Sequence, residues 1–356
     1  MKIYKCLSKS KVCLIWVIVL SVLGILFIFS QECKNGAVNG ILLCLSILVP
    51  SLFPFFILSS FLTESNMLDC IVPVFNPVGK FFLGARGICI IPLILSLLGG
   101  YPVGAKAIAS LYHCKAISES EAKRLVPLCC WAGPGFLVTF VGVSMLLSKE
   151  SGIILLSSQI ISVTLLCLLS RVMYGKTDSD SILNLKKSST SISEALVSSV
   201  NSAVKSTAGM CGFVIAFSVV CNVLTEGFGA DNTLGKIFVS LLEITTGISL
   251  ISGEVSLEVI SLLAGFGGVC VHLQIFRELK GIPYSKARFY FFRFIASVLC
   301  FLSTKILIYI FPIKEAVFST VSKAPKLTFY SSVAGSVALI FTSVVFILSL
   351  RKKHSA

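Results

Sequence analysis

Three groups of residues in this sequence could do chemistry, and each interrupts an apolar run. Gly99, Gly100, Tyr101, Pro102 and Gly104 form the first, with Lys106 directly after them. Glycine and proline end helices, and a helix that restarts after such a break turns backbone N–H groups toward whatever lies in front of it. With Lys106 beside it, that end suits an anionic substrate, although the same lysine could instead extend toward the membrane surface. Gly267 and Gly268, followed by His272 and Gln274, form the second group. A buried histidine is commonly just hydrogen-bonded, but its titration range also allows proton coupling. Glu243, in Glu-Ile-Thr-Thr-Gly, is the third. An ionisable side chain within a bilayer is costly and points to function. It would bind a coupling proton or cation, contact substrate, or sit at a helix break made by Thr245, Thr246 and Gly247; these readings stay open. Asn201 and Lys205 are weaker candidates.

The elements that must position these groups are membrane helices. Hydrophobic residues make up 56% of the 356 and charged residues 13%, with a mean hydropathy of +0.97. Several apolar runs are long enough to span. The expected class is an all-α polytopic membrane protein of about eight helical spans or hairpins. Lys2, Lys5, Lys9 and Lys11 precede a first span at 12–29, followed by an outer loop at 31–36. Pro50 and Pro54 should kink or split the next run, 41–62. Residues 69–86 read as a short interfacial helix, and 87–98 as half of a re-entrant hairpin, since about twenty residues are needed to cross. Ser118 and Glu121 have capping-box spacing. A span at 127–147, broken by Gly133-Pro134-Gly135, and a return at 152–174 complete the first half.

In the second half a small-residue helix at 194–207 should lead into spans at 208–224, 234–251, 257–276, 289–311 and 329–350. Arg277, Lys280, Lys286, Arg288 and Arg293 read as a basic loop, and Arg351, Lys352 and Lys353 as an inside tail. The resulting division is 1–37 for the N-terminal segment and first span, 38–174 for one repeat and 175–193 for a cytoplasmic linker. A second repeat at 194–312 and a last span with its tail at 313–356 finish the chain.

The net charge of +14 belongs to loops beside spans, and no basic stripe with stacking aromatics suggests nucleic acid. The fourteen cysteines include no C-x-x-C pair and no metal-ligand spacing with His113, His272 or His354. Most lie in apolar runs, where a thiol packs as a small hydrophobe. Metal sites, cofactors and catalysis are not expected, and no enzyme motif is present. The expected partners are a small-molecule anion and the lipid bilayer, with self-association into a homo-oligomer left open.

The halves share short motifs in one order. Asn76-Pro77-Val78-Gly79-Lys80-Phe81-Phe82 parallels Asn232-Thr233-Leu234-Gly235-Lys236-Ile237-Phe238. Gly99-Gly100-Tyr101 with Val103 parallels Gly267-Gly268-Val269 with Val271, and Ile117, Ser120, Ala122 and Lys123 parallel Ile282, Ser285, Ala287 and Arg288. Repeats that each contain a broken apolar segment are a pattern of secondary transporters; whether these would be inverted or parallel stays open.

The segments 50–62, 99–106, 122–137, 241–247 and 265–274 stand in the order seen in sporulation integral membrane proteins of the YlbJ type, and the chain resembles that family over residues 40–301. The resemblance implies two nucleoside-recognition, or Gate, domains, shared with concentrative nucleoside transporters and ferrous-iron transport proteins. It further implies export of dipicolinic acid from the mother cell across the outer forespore membrane, with Lys106 facing His272 and Gln274 across the site. The alternatives are a transporter of a nucleoside or other small anion, and a non-transporting sporulation scaffold.

Overall fold

A computed structural model describes residues 16–17, 19–65, 68–175 and 191–312. The N-terminal lysines, most of the expected linker, and the last span with its tail lie outside the described residues. All described elements are helical, with no strand among them, as a backbone that must satisfy its own hydrogen bonds in lipid requires.

The first half opens with α1 (Val19–Ile28) and α2 (Ser30–Leu43). A π-turn (Cys44–Leu48) carries α2 into α3 (Val49–Glu64). The expected outer loop at 31–36 is therefore helix, and Ser30–Glu64 runs on for 35 residues. Pro50 does not split it, because it stands in the first turn of α3, where the wider π-turn has just changed the hydrogen-bond register. Next come α4 (Leu68–Val78) and a π-turn (Gly79–Leu83). The helical stretch Val72–Leu83 meets Gly87–Gly99 at a bend of 77°. α5 (Ile90–Gly99) and α6 (Tyr101–His113) join through Gly100, and α7 (Glu119–Leu125) carries the capping box that its sequence predicts.

The expected span at 127–147 is not one. Residues 130–133 are non-helical and buried, and an 11-residue π-helix (Gly135–Met145) follows. α8 (Lys149–Tyr174) ends this half.

In the second half α9 (Ile192–Asn222) is one helix where two segments were expected, continued by a π-turn (Val223–Gly227). α10 (Thr233–Leu242) and α11 (Ile244–Ile251) are separated by Glu243, which interrupts a run that the sequence presents as one span. α12 (Leu257–Phe266) and α13 (Gly268–Glu278) are separated by Gly267, and α14 (Lys286–Ile310) follows. Among the described residues five helices are long and apolar enough to cross a membrane, or six with the bent pair.

Two buried arginines correct the reading of basic residues as loop markers. Arg124 donates to the Ser170 hydroxyl at 3.0 Å and to the Leu83 carbonyl. Arg293, assigned above to a loop, lies in α14 with 0% exposure. Its guanidinium sits 4.8 Å above the Trp131 ring and donates to the carbonyls of Cys130 and Gly265, the latter at 2.5 Å. It thus ties the non-helical stretch of the first half to the end of α12.

Near α7, Arg86 forms a two-pronged ion pair with Glu121 at 2.9 and 2.6 Å, and the same carboxylate accepts from Ser118 N–H at 2.8 Å. Burial pushes the Glu121 carboxyl upward, but the bonds from Arg86 and Ser118 outweigh it and hold the group below its usual range.

Two outcomes follow. A carboxylate whose folded pKa is depressed adds stability above its unfolded pKa and loses it as pH falls through the folded value. Glu121→Gln should therefore lower thermal stability in detergent near neutrality, and the difference from wild type should shrink on acidification. Arg293→Met should leave two buried carbonyls without a donor, at about 1–3 kcal/mol each, read as a lowered unfolding temperature with the membrane-inserted yield as a second measure.

Candidate functional site

A helix that stops inside the protein leaves its last carbonyls without N–H partners. At the end of α12 three consecutive carbonyls find them in side chains from three elements. Ala264 accepts from the Tyr101 hydroxyl at 2.6 Å, Gly265 from Arg293, and Phe266 from His272 Nε2 at 2.9 Å. The chain can stop there because Gly267 takes φ +94°, a conformation that favours glycine. Tyr101 in turn opens α6 after Gly100, at φ +99°. A Cβ on Gly267 would lie 3.2 Å from the Tyr101 ring, so the two helix breaks meet face to face.

The non-helical stretch behind them is held in the same way. Trp131 N–H donates to the Ser96 hydroxyl at 3.1 Å. The Gln159 carboxamide accepts from Ala132 N–H at 3.1 Å and donates to the Ala132 carbonyl at 2.7 Å. The third break is capped by its own residue: Glu243 is 1% exposed, and its two oxygens accept from Thr245 N–H at 3.0 Å and Thr246 N–H at 2.5 Å. A carboxylate at a helix N-terminus is favoured by both bond and dipole. That capping role accounts for an acidic group inside an apolar run.

These breaks surround a cavity of about 310 Å³. Gly99, Gly100, Tyr101 and Pro102 line one side, and Glu243, Thr245, Val271 and Gln274 another. Pro134, Gly135 and Phe136 at the head of the π-helix, Leu52 and Phe55 of α3, and Met210 and Val214 of α9 close the rest. The walls are mainly apolar. Among the described residues the lining includes no lysine, arginine or histidine, and Glu243 is its one acidic side chain.

Of the ten expected binding residues and the coupling candidate, Gly99, Gly100, Tyr101, Pro102, Gln274 and Glu243 come together at this cavity. The others do not line it. Gly104 packs against the Cys129 carbonyl and Ser96, where a Cβ would be 2.6 Å from each. Lys106 is half-buried on α6, and five residues of helix turn it away from the face that Tyr101 presents. His272 points to α12 and α14, with the rings of Phe266 and Phe289 4.9 and 5.1 Å away. Gly267 backs onto Tyr101, and Gly268 lies against the Glu243 break, where a Cβ would be 3.3 Å from Ile244 N. Asn201 and Lys205, in α9, are also outside the lining.

Residues that the motif reading passed over hold the site in shape: Ser96, Gln159 and Arg293. A signal existed for two of them, since Gln159 is the lone amide in the apolar α8 and Arg293 interrupts an aromatic-rich run in α14. No group of three or more His, Cys, Asp and Glu side chains among the described residues is placed to hold a metal ion.

Four of the lining segments, from α3 through the π-helix, fall in one stretch with a recognisable relative. Residues 45–175 match the Gate family, nucleoside recognition. The Gate match thus covers Gly99–Pro102 and Pro134–Phe136 but ends before Glu243 and Gln274. The chain is also 26% identical over 289 residues to the sporulation integral membrane protein YlbJ of Bacillus subtilis (strain 168), spanning 69% of this chain and 70% of that protein. No solved structure matches.

Tyr101→Phe should remove the donor to Ala264 and leave a buried carbonyl unpaired, costing about 1–3 kcal/mol and lowering the unfolding temperature in detergent. Gly100→Ala should be worse, because it adds φ strain to a Cβ placed 2.9 Å from Leu52 Cδ2.

Proposed function

We propose that this chain transports a small anionic metabolite across a membrane, and that the metabolite is dipicolinic acid, moved from the mother cell across the outer forespore membrane during sporulation. The observation that carries the reading is the cavity where two helix breaks from opposite halves of the chain meet. Broken helices around a shared internal site are the arrangement of secondary transporters. The sporulation setting comes from the likeness to YlbJ over most of both chains, and the recognition of a small ringed solute from the Gate match.

The lining suits a flat ring with two acidic ends. Phe55, Phe136 and Met210 offer apolar contact for the ring. α6 and the π-helix both begin on the cavity, and the positive ends of helix dipoles favour anionic groups. With no basic side chain in the lining, those two helix N-termini are what meets the acidic ends of the solute. Lys106 is left out of this site.

A nucleoside is the second reading, favoured by one observation: the polar side chains lining the cavity from the second half are a carboxylate, a hydroxyl and a carboxamide, Glu243, Thr245 and Gln274. Such groups bind the hydroxyls and amino edges of a neutral solute.

The purified protein in vesicles separates the two. Under the leading reading, labelled dipicolinate exchanges across the membrane, and Glu243→Gln, which keeps the shape of the coupling candidate but removes its charge, changes the rate of that exchange. Gln274→Ala should cut flux by about tenfold, the worth of one hydrogen bond to a charged group. Nucleoside exchange with no dipicolinate exchange would replace the leading reading with the second. In cells, deletion should give heat-sensitive, dipicolinate-poor spores while the mother cell still makes dipicolinate; normal spore dipicolinate would refute it.

A further inference from the structure

α2 with its π-turn and α9 form a tight antiparallel seam. A Cβ on Gly36 would lie 2.7 Å from Val219 Cα, and one on Gly40 would lie 2.8 Å from Ile215 Cα. Four residues forward on one helix thus correspond to four residues back on the other. The next pair in this register is Cys44 and Cys211. Cys44 Sγ lies 3.9 Å from the Cys211 carbonyl. Both cysteines are free; Cys44 is buried and Cys211 half-buried. Small residues let helix backbones approach closely in a membrane, and a disulfide needs Cα atoms about 4.4–6.8 Å apart. The register and the approach of Cys44 Sγ to the Cys211 backbone, two separate observations, put this pair in position for one.

Its place makes the bond consequential. Cys44 begins the π-turn that ends at Leu48, and Leu48 lines the cavity. On the facing helix Cys211 lies between Met210 and Val214, which line it too. The thiols therefore close the seam at its cavity end.

We propose that Cys44 and Cys211 are an oxidation site, whose disulfide clips α2 and α3 to α9 and holds the cavity wall in one arrangement. The oxidant is a low-molecular-weight disulfide. The thiolate of the more exposed Cys211 attacks one sulfur of it, forming a mixed disulfide and releasing one small thiol. Cys44, as thiolate, then attacks the Cys211 sulfur, and the second small thiol leaves. The two protons given up by the cysteines end on the two released thiols, and the two electrons have passed to the small disulfide. The bond itself depends on the seam alone, whereas its effect on solute movement rests on the transport reading above.

The test uses the full chain, purified in detergent and in vesicles, with oxidised glutathione as the probe. Peptide mapping without reductant should find a Cys44–Cys211 linked peptide, absent in Cys44→Ser and Cys211→Ser. Solute exchange should fall by about tenfold or more, as expected when one of two packed elements is pinned. Dithiothreitol should restore it, and Cys44→Ser should exchange solute normally under oxidant. Mapping that finds a glutathione adduct on Cys211 alone, or no modification, overturns the site. A linked peptide with unchanged exchange overturns the clip. If the reduced protein exchanges no solute at all, the transport reading fails, while the linked peptide still decides the disulfide.

Discussion

Every interrupted helix in this protein has to find hydrogen-bond partners for backbone that lipid cannot satisfy. The largest such demand is at the end of α12, where three successive carbonyls are exposed by the stop at Gly267. They are met by Tyr101 from the first half, Arg293 from α14 and His272 from α13. Unpaired polar groups in a membrane interior cost several kcal/mol each, so the break and its three donors are a single unit. Arg293 extends that unit, because it also serves the Cys130 carbonyl in the stretch that Ser96 and Gln159 hold from the other side. The two halves are joined by these backbone bonds as well as by a shared apolar core.

The cavity is a consequence of the same interruptions. Helices that stop short of one another leave space between their ends, and the glycines at those ends keep the space unfilled. What lines it is helix termini and the side chains beside them. Glu243 shows the coupling between structure and function most directly. It caps α11 with both carboxylate oxygens, yet it also faces the cavity. One side chain thus belongs to a helix end and to the cavity wall at once.

The seam between α2 and α9 contrasts with this region. There glycine lets the backbones come close, with a Cβ on Gly36 or Gly40 meeting the facing Cα within 2.8 Å. The cavity thus has one wall built on a tight helix pair and others built on helix breaks.

Much was legible in the sequence because it depends on composition and local chain chemistry. Apolar length identified a polytopic helical membrane protein, Gly99–Gly100 and Gly267–Gly268 marked true helix breaks, and Ser118 with Glu121 formed the expected cap. Misreadings came where partners are remote in sequence. Pro50 and Pro54 pointed to a kink or split, but the helix runs on through both, Pro50 standing in the first turn after the π-turn. Lys106 and His272 had the right chemistry beside the right break, but helix rotation turned both away from the cavity. Arg293 counted as a loop charge because nothing local reveals the Gly265 and Cys130 carbonyls that hold it inside. A sequence by itself states which backbone will be interrupted, since that is a property of glycine, proline and length. Which side chain repairs each interruption, and which way the others face, is decided only when distant segments are brought within hydrogen-bond reach.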